Sequence, residues 1–281
     1  MEYEREDIMK FTKMHGNGND FIVLEDFDNK ITDEGNLAKK LCNRNFAIGA
    51  DGILIVRKSV KADIQMVIIN SDGSYAAMCG NGIRCFAKYV WEKNIVNKKE
   101  IKIETGDGIK KAYLDIKNGE VASITINMGK PSFDPNLIPA ISNSEIINKK
   151  INVNNKEYII NSLLMGVPHT VIFGLFDKFC IEDGKYIEKY DIFPIGTNVN
   201  FCEIISRENI KVATWERGAG PTLACGTGSC ACVVAANKLG LVDNKVLVNI
   251  PGGKLIIEIT EDGVLMTGPA EVSYYGEIKL K

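Results

Sequence analysis

The hydrophobic pattern along the chain is mostly short and β-like. Runs rich in Val, Ile, Leu and Phe predict strands over residues 53–57, 63–70, 101–105, 121–128, 171–173, 198–205, 210–215, 246–250, 255–260 and 264–267. Asn118-Gly119, Asp262-Gly263 and Pro251-Gly252-Gly253 punctuate several of them as turns. Two stretches break this rhythm and predict helices. One starts near Gly82 and runs to Trp91; the other starts near Gly228, runs to Leu239 and closes at Gly240. Both are apolar on most faces, whereas a surface helix carries a single apolar stripe, so both belong inside. Two buried helices, each amid many strands, predict two sheets, each curled around one helix. Residues around 131–143 read as less regular, and no low-complexity linker is visible.

The sequence also echoes itself. Cys79-Gly80-Asn81-Gly82 and Cys225-Gly226-Thr227-Gly228 each lead into one of the predicted helices. Asn70 and Glu216 stand at the same distance ahead of the two cysteines, which lie about half the chain apart. Duplication of a unit carrying one cysteine is the economical explanation. Two copies facing each other put two thiols on opposite sides of one cleft.

The local chemistry suits thiols that work. A cysteine just ahead of a helix meets the open N–H groups and the positive end of the helix dipole, which stabilise a thiolate. The glycines let the backbone approach a ligand closely, and the N–H groups form an anion site fit for a carboxylate. Inverting an α-carbon requires a base on one face and an acid on the other. A thiolate and an opposed thiol, exchanging roles with direction, supply both. Two helix N-termini stabilise the negative charge that spreads onto the carboxylate as the proton leaves. Such a pair titrates as one coupled system.

Composition narrows the alternatives. The chain of 281 residues is 45% hydrophobic and 25% charged, enough to bury one core or two. With 34 basic and 36 acidic residues, the net charge is -2, and nothing asks for nucleic acid or an anionic membrane. Lys98-Lys99, Lys110-Lys111 and Lys149-Lys150 read as solvated turns. Residues 1–7 are too acidic and polar for a secretory or transit signal, and no apolar run approaches a membrane span. The expected location is the cytoplasm, where the eight cysteines are thiols rather than a disulfide framework.

Most of those thiols read as packing: Cys42, Cys180 and Cys202, and inside the helices Cys85, Cys230 and Cys232. Cys225, Cys230 and Cys232 cluster, but the chain has no Cys-x-x-Cys pair and only two histidines, so no metal site is predicted. A cysteine–histidine hydrolase needs one Cys and one of the histidines, His15 or His169. It leaves the second Cys-Gly-x-Gly unexplained. Gly16-Asn17-Gly18 and Gly218-Ala219-Gly220 match neither a P-loop nor a dinucleotide fingerprint. His15 is placed in a turn-rich loop ahead of a strand.

Five segments together resemble the diaminopimelate epimerase family: KMHGNGNDF over 13–21, NSDGS over 70–74, CGNGIRCFA over 79–87, ERGAG over 216–220 and ACGTG over 224–228. They occur in order, and the resemblance runs from about residue 9 to the end. It implies interconversion of LL- and meso-diaminopimelate with neither pyridoxal phosphate nor metal, in lysine and peptidoglycan synthesis. The implied fold is α+β: two pseudo-symmetric domains, each a mixed β-sheet curled around a central helix, with the active site in the cleft between them. The first domain takes residues 1–120 with 271–281, whose strand returns to it; the second takes 121–270. A homodimer is implied, with a small amino acid as the other partner.

Carried over by position, Cys79 and Cys225 are the catalytic pair. Asn19, Asn70, Asn198, Glu216 and Arg217 bind substrate, and Gly80 with Asn81, and Gly226 with Thr227, form two backbone cradles. His169 and Glu216 tune the thiols. Three positions depart from the pattern. Val167 replaces a substrate-binding asparagine, Gly52 a glutamine contact and Pro221 a glutamate. Losing the amide at 167 removes two donors and an acceptor. A racemase of another amino acid, such as histidine, therefore stands as an alternative with the same two-cysteine chemistry. A non-catalytic amino-acid-binding protein is a further one, although a binder has no need of two matched thiols.

Overall fold

The computed structural model describes residues 8–279; the acidic segment 1–7 and residues 280–281 lie outside the described residues. The chain divides into two compact units, Met1–Ile126 with Pro269–Lys281, and Asn127–Gly268. The first carries β1 (Ile8–Gly16), β2 (Asn19–Glu25), α1 (Glu34–Leu41), β3 (Gly52–Arg57), β4 (Ile64–Asn70), β5 (Tyr75–Ala76), α2 (Gly80–Glu92), β6 (Glu100–Thr105), β7 (Gly108–Lys117) and β8 (Glu120–Asn127). The second carries β9 (Lys149–Val153), β10 (Lys156–Met165), β11 (Val167–Phe173), a one-turn α3 (Gly184–Ile187), β12 (Asn198–Ser206) and β13 (Asn209–Glu216). It continues with β14 (Gly220–Thr222), α4 (Gly226–Lys238), β15 (Lys245–Ile250), β16 (Gly253–Thr260) and β17 (Gly263–Gly268). The last strand, β18 (Glu271–Lys279), returns to the first unit and pairs antiparallel with β1.

One series of pairings describes both units. An antiparallel hairpin, β1–β2 or β10–β11, is followed by a parallel step, β2–β3 or β11–β12. Next come an antiparallel neighbour, β3–β4 or β12–β13, and a short antiparallel strand, β4–β5 or β13–β14. The buried helix follows that short strand in each case. The chain then rejoins in parallel, β4–β6 or β13–β15, and ends in antiparallel strands, β6–β7–β8 or β15–β16–β17. The duplicated cysteine motif thus reflects a duplicated topology, and the class is α+β with mixed sheets. The first crossing falls after β8 rather than ahead of it, because β8 pairs with β7 along nearly its whole length.

Local chemistry explains the elements. The turns at Asn17-Gly18, Asn118-Gly119 and Asn154-Asn155 have positive φ at both residues (56° and 84°, 53° and 82°, 50° and 61°), as two-residue type I′ hairpins require. Helix α1 begins at Asp33, whose side chain accepts from Asn36 N. Along α4, Gly226 and every residue from Gly228 to Ala236 are buried. Their small Ser, Cys, Ala and Val side chains let strands approach from several sides. The run of buried residues in β3, from Gly52 to Val56, marks a strand covered on both faces.

Several elements depart from the sequence reading. His15 lies in β1, not in a loop; only Asn17 and Gly18 turn. Strand β11 starts at Val167, four residues ahead of the predicted 171, because Gly166 (φ 73°) turns the chain tightly back on β10. Among the described residues no helix is long and apolar enough to cross a membrane.

Helix α2 also carries a charge into the core. Arg84 is fully buried. Its guanidinium donates to Gly80 O (3.2 Å), to Asn17 Oδ1 (2.6 Å) and to Pro269 O (3.0 Å). It thereby ties the first turn of α2 to the β1–β2 turn and to the segment that re-enters the unit. Replacing it strands buried acceptors, each costing about 1–3 kcal/mol. Arg84→Met is expected to lose about 3–5 kcal/mol in urea unfolding, and a loss below about 1 kcal/mol would contradict this reading.

Candidate functional site

In the first unit, Cys79 is the N-cap of α2. Its backbone is extended (φ -143°, ψ 118°), and Gly82 N donates to its sulfur at 3.4 Å. A sulfur in this position replaces the usual Ser or Asp oxygen. No acidic residue occupies the first turn of α2, so nothing within the helix neutralises its positive end. The β1–β2 turn places Asn19 beside the sulfur, with Asn19 Oδ1 3.6 Å from Cys79 Sγ and 3.2 Å from Asn81 Nδ2.

The orientation of the Asn19 amide is imposed from behind. Asn19 Nδ2 donates to Asp51 Oδ2 at 2.7 Å, and a carboxylate can only accept. Asp51 is itself held by Arg44 (2.8 Å), which also binds Asp20 (2.7 and 3.1 Å), and Lys13 pairs with Asp20. Burial pulls the Asp20 carboxyl upward. The Arg44 and Lys13 bonds outweigh it and hold the pKa at about 2. A network of two cations and two carboxylates therefore points a neutral amide oxygen at Cys79.

In the second unit, Cys225 is the N-cap of α4, with Gly228 N 3.3 Å from its sulfur and Thr227 Oγ1 at 3.5 Å. The supporting network here is mostly uncharged. Asn200, fully buried on β12, donates to Thr170 O (3.1 Å), lies 3.1 Å from His169 Nδ1 and accepts from Thr214 Oγ1 (3.0 Å). Burial first, and then the Arg217 charge, push the His169 pKa down to about 3, against a smaller opposing effect of its bond with Asn200. The ring is neutral at physiological pH.

The remaining predicted residues sort by unit. Asn198 accepts from Arg217 N (2.8 Å) and donates to Pro168 O (3.1 Å), so it shapes the corner at the end of β13. The Arg217 guanidinium rests on Ile195 O at 3.0 Å, and Glu216 accepts from Thr222 Oγ1 at 2.6 Å. Gly80 and Asn81, and Gly226 and Thr227, form the first turns of α2 and α4. Asn70 lies exposed at the end of β4 and donates to Ser74 Oγ (3.0 Å). Among the described residues it is not hydrogen-bonded to Asn19, Cys79 or Asn81.

The three departures have structural counterparts. A Cβ at Gly52 would lie 2.7 Å from Ile69 O, so the strand spacing itself excludes a side chain there. Val167 is exposed at the start of β11, beside Gly166, whose Cβ position is 3.9 Å from Thr227 Cγ2. That places Gly166, at the β10–β11 turn, near the first turn of α4. Pro221 is exposed on β14, paired with Trp215.

Other cysteines are chemically quieter. Burial pushes the Cys42 and Cys85 thiols up to about 12, and raises Cys232 as well. Among the described residues no group of three His, Cys, Asp or Glu side chains could hold a metal ion. Asp51, Asn200 and Thr214 went unmarked in the sequence because their roles lie in the bonds they make. Asn200 did carry one signal. It repeats Asn198 two residues on, which on a strand puts both amides on one face.

Comparison with known proteins places this arrangement. The fold is similar to that of a hydroxyproline epimerase from Agrobacterium vitis, solved with bound trans-4-OH-L-proline (TM-score 0.72, 15% identity, covering 99% of this chain and 94% of that one). It is also similar to a Bacillus anthracis phenazine biosynthesis protein of the PhzF family (TM-score 0.75, 14% identity, 98% and 100% covered). These likenesses show the two-domain α+β fold. Sequence carries the assignment further and makes the protein an isomerase. The diaminopimelate epimerase family model matches residues 11–134 and 162–273. A diaminopimelate epimerase of Clostridium perfringens (strain 13 / Type A) is 62% identical over 263 residues, covering 93% of this chain and 96% of that protein. The chain belongs to the diaminopimelate epimerase family.

The buried neutral histidine has a measurable consequence. The folded-state pKa of His169 lies below its unfolded value of 6.5, so the folded protein binds fewer protons. The stability gained by keeping it neutral is complete above about pH 6.5 and is lost as pH falls toward 3. From pH 6.5 to 4.5, wild type is expected to lose about 2 kcal/mol more unfolding free energy than His169→Phe. Equal losses in chemical denaturation would contradict a neutral buried ring.

Proposed function

We propose that the chain interconverts LL- and meso-diaminopimelate by proton transfer between its α-carbon and two thiols, Cys79 and Cys225. The observation that carries this reading is the pair of matched centres, one per unit. Each is a cysteine capping a buried helix through a glycine N–H. In the reaction one cysteine is a thiolate and takes the α-proton, becoming a thiol. The electron pair left on carbon spreads into the substrate carboxylate. The other cysteine, a thiol, delivers its proton to the opposite face and becomes the thiolate. The reverse reaction exchanges the roles, and no redox change occurs.

The backbone N–H groups of Gly80 and Asn81, and of Gly226 and Thr227, hold the carboxylate and stabilise the charge that develops there. Asn19, Asn70, Asn198, Glu216 and Arg217 fix the rest of the substrate. His169 and Glu216 set the polarity around the thiols. The chemistry calls for no pyridine cofactor and no metal, because the helix termini share the charge that such a group would otherwise take. The 62% identical Clostridium relative, itself a diaminopimelate epimerase, supports the substrate. On this reading the enzyme is a cytoplasmic homodimer that serves lysine and peptidoglycan synthesis and engages neither nucleic acid nor membrane.

Val167, apolar where the family pattern has a substrate-binding asparagine, favours testing a second substrate class. The decisive assay is α-deuterium incorporation in heavy water, followed by NMR, with LL-diaminopimelate beside free L-amino acids including histidine. Deuterium is expected in diaminopimelate with formation of the meso isomer. Exchange confined to another amino acid would overturn the substrate. Cys79→Ala and Cys225→Ala are each expected to lower inversion by at least about 100-fold while remaining folded. Full inversion by either variant would end the two-thiol mechanism.

A further inference from the structure

Asn200 takes no part in proton transfer, yet its bonds fix the chemical form of a neighbour. It is fully buried on β12, where every polar atom of its amide must find a partner. Thr170 O, which can only accept, lies 3.1 Å from Nδ2. Thr214 Oγ1 donates to Oδ1 at 3.0 Å. Turning the amide over would set Oδ1 against the Thr170 carbonyl, so its orientation is determined. The second N–H of Nδ2 is then aimed at His169 Nδ1, 3.1 Å away.

A ring nitrogen that faces an N–H must offer a lone pair. The neutral His169 therefore carries its proton on Nε2. That atom is buried and has no hydrogen-bond partner among the described residues. A buried N–H with nothing to donate to is costly, and it discriminates in favour of whatever brings an acceptor. The same amide packs against the first turn of α4. A Cβ added at Gly228 would come within 2.3 Å of Asn200 Oδ1 and 3.1 Å of Cys225 Sγ, so amide and sulfur crowd one glycine of α4.

We propose that Asn200 is a positioning residue that locks His169 in the Nε2–H tautomer. The lock leaves the second unit a fixed neutral donor for an anionic acceptor, a substrate carboxylate oxygen or a thiolate. The catalytic use of that donor rests on the function proposed above; the lock itself does not. His169 thus serves as a fixed hydrogen bond and does not store a proton. Asn200 also lies against Gly228 in the first turn of α4, where it leaves no room for a side chain.

The test is nitrogen NMR of histidine-labelled protein near neutral pH, where the chain offers only His15 and His169. The signals are told apart with His169→Phe. In wild type, His169 is expected to show an unprotonated Nδ1 and a protonated Nε2. A protonated Nδ1, or an imidazolium, overturns the proposal. In Asn200→Ser the amide donor is gone, and His169 is expected to show mixed tautomers, with kcat for α-deuterium exchange down by about tenfold or more. A tautomer unchanged in that variant overturns the lock. Should Asn200→Ser fold poorly, Thr214→Val keeps the test. It removes the bond that orients the amide oxygen and is expected to blur the tautomer in the same direction. A wild-type spectrum as expected, in a protein that does not exchange diaminopimelate, leaves the lock standing and refutes the substrate assignment.

Discussion

A cysteine sulfur that accepts the N–H three residues along, at the start of a buried helix, constrains most of what surrounds it. The residue supplying that N–H is glycine in both units; space is tight at Gly82 and leaves no room for a side chain at Gly228. A Cβ at Gly82 would stand 3.2 Å from Leu54 and 3.4 Å from Phe21, and one at Gly228 would collide with Asn200. The helix behind the sulfur is buried, so its inward side chains are mostly apolar or small, Arg84 of α2 being the charged exception held by three acceptors. The first turn lacks acidic residues, which leaves its positive end to the sulfur and to a ligand. The same interaction formed twice, on one strand pairing series used twice, gives the chain two equivalent thiols.

The two centres are supported by opposite electrostatics. Around Cys79, charged groups do the orienting: Lys13, Asp20, Arg44 and Asp51 lock each other and then Asn19. Around Cys225, a mainly neutral network of Asn200, Thr214 and His169 does it. A charged frame stands up to the solvent that reaches exposed Arg44 and Asp51, where ion pairs are individually weak but mutually reinforcing. A neutral frame suits full burial, where an unmatched charge would be expensive. Equivalent thiols thus sit in inequivalent surroundings, as the proposed mechanism, whose two directions begin at different cysteines, allows.

What could be read in the sequence follows from where the information lies. Strands such as β3 and β12 were legible because long runs of β-branched and aromatic residues have one reading. Strand β1 was not, because its end and the turn to β2 carry Met, His, Gly and Asn and read as a loop ahead of a strand. The Asn17-Gly18 pair was nonetheless a hairpin signal. Strand β18 alternates exposed and half-buried positions along its length, and its pairing with β1 depends on a chain segment far away in sequence. The cysteines were legible because they are duplicated, Asn81 because it shares the motif of Cys79, and Asn19 and Arg217 because their own segments, 13–21 and 216–220, resemble the family's. Asp51 and Asn200 were not: each acts only through the direction in which it turns another residue's polar atom.

The proposed two-thiol mechanism requires both capped cysteines to meet the same substrate. The most direct measurement is differential alkylation read by mass spectrometry, site by site, with and without diaminopimelate. Half-buried Cys180 serves as the internal control, and buried Cys42, Cys85 and Cys232 as slow references. The account predicts that Cys79 and Cys225 are both protected by substrate while Cys180 is not. Protection of only one of them, in protein that turns the substrate over, would contradict it.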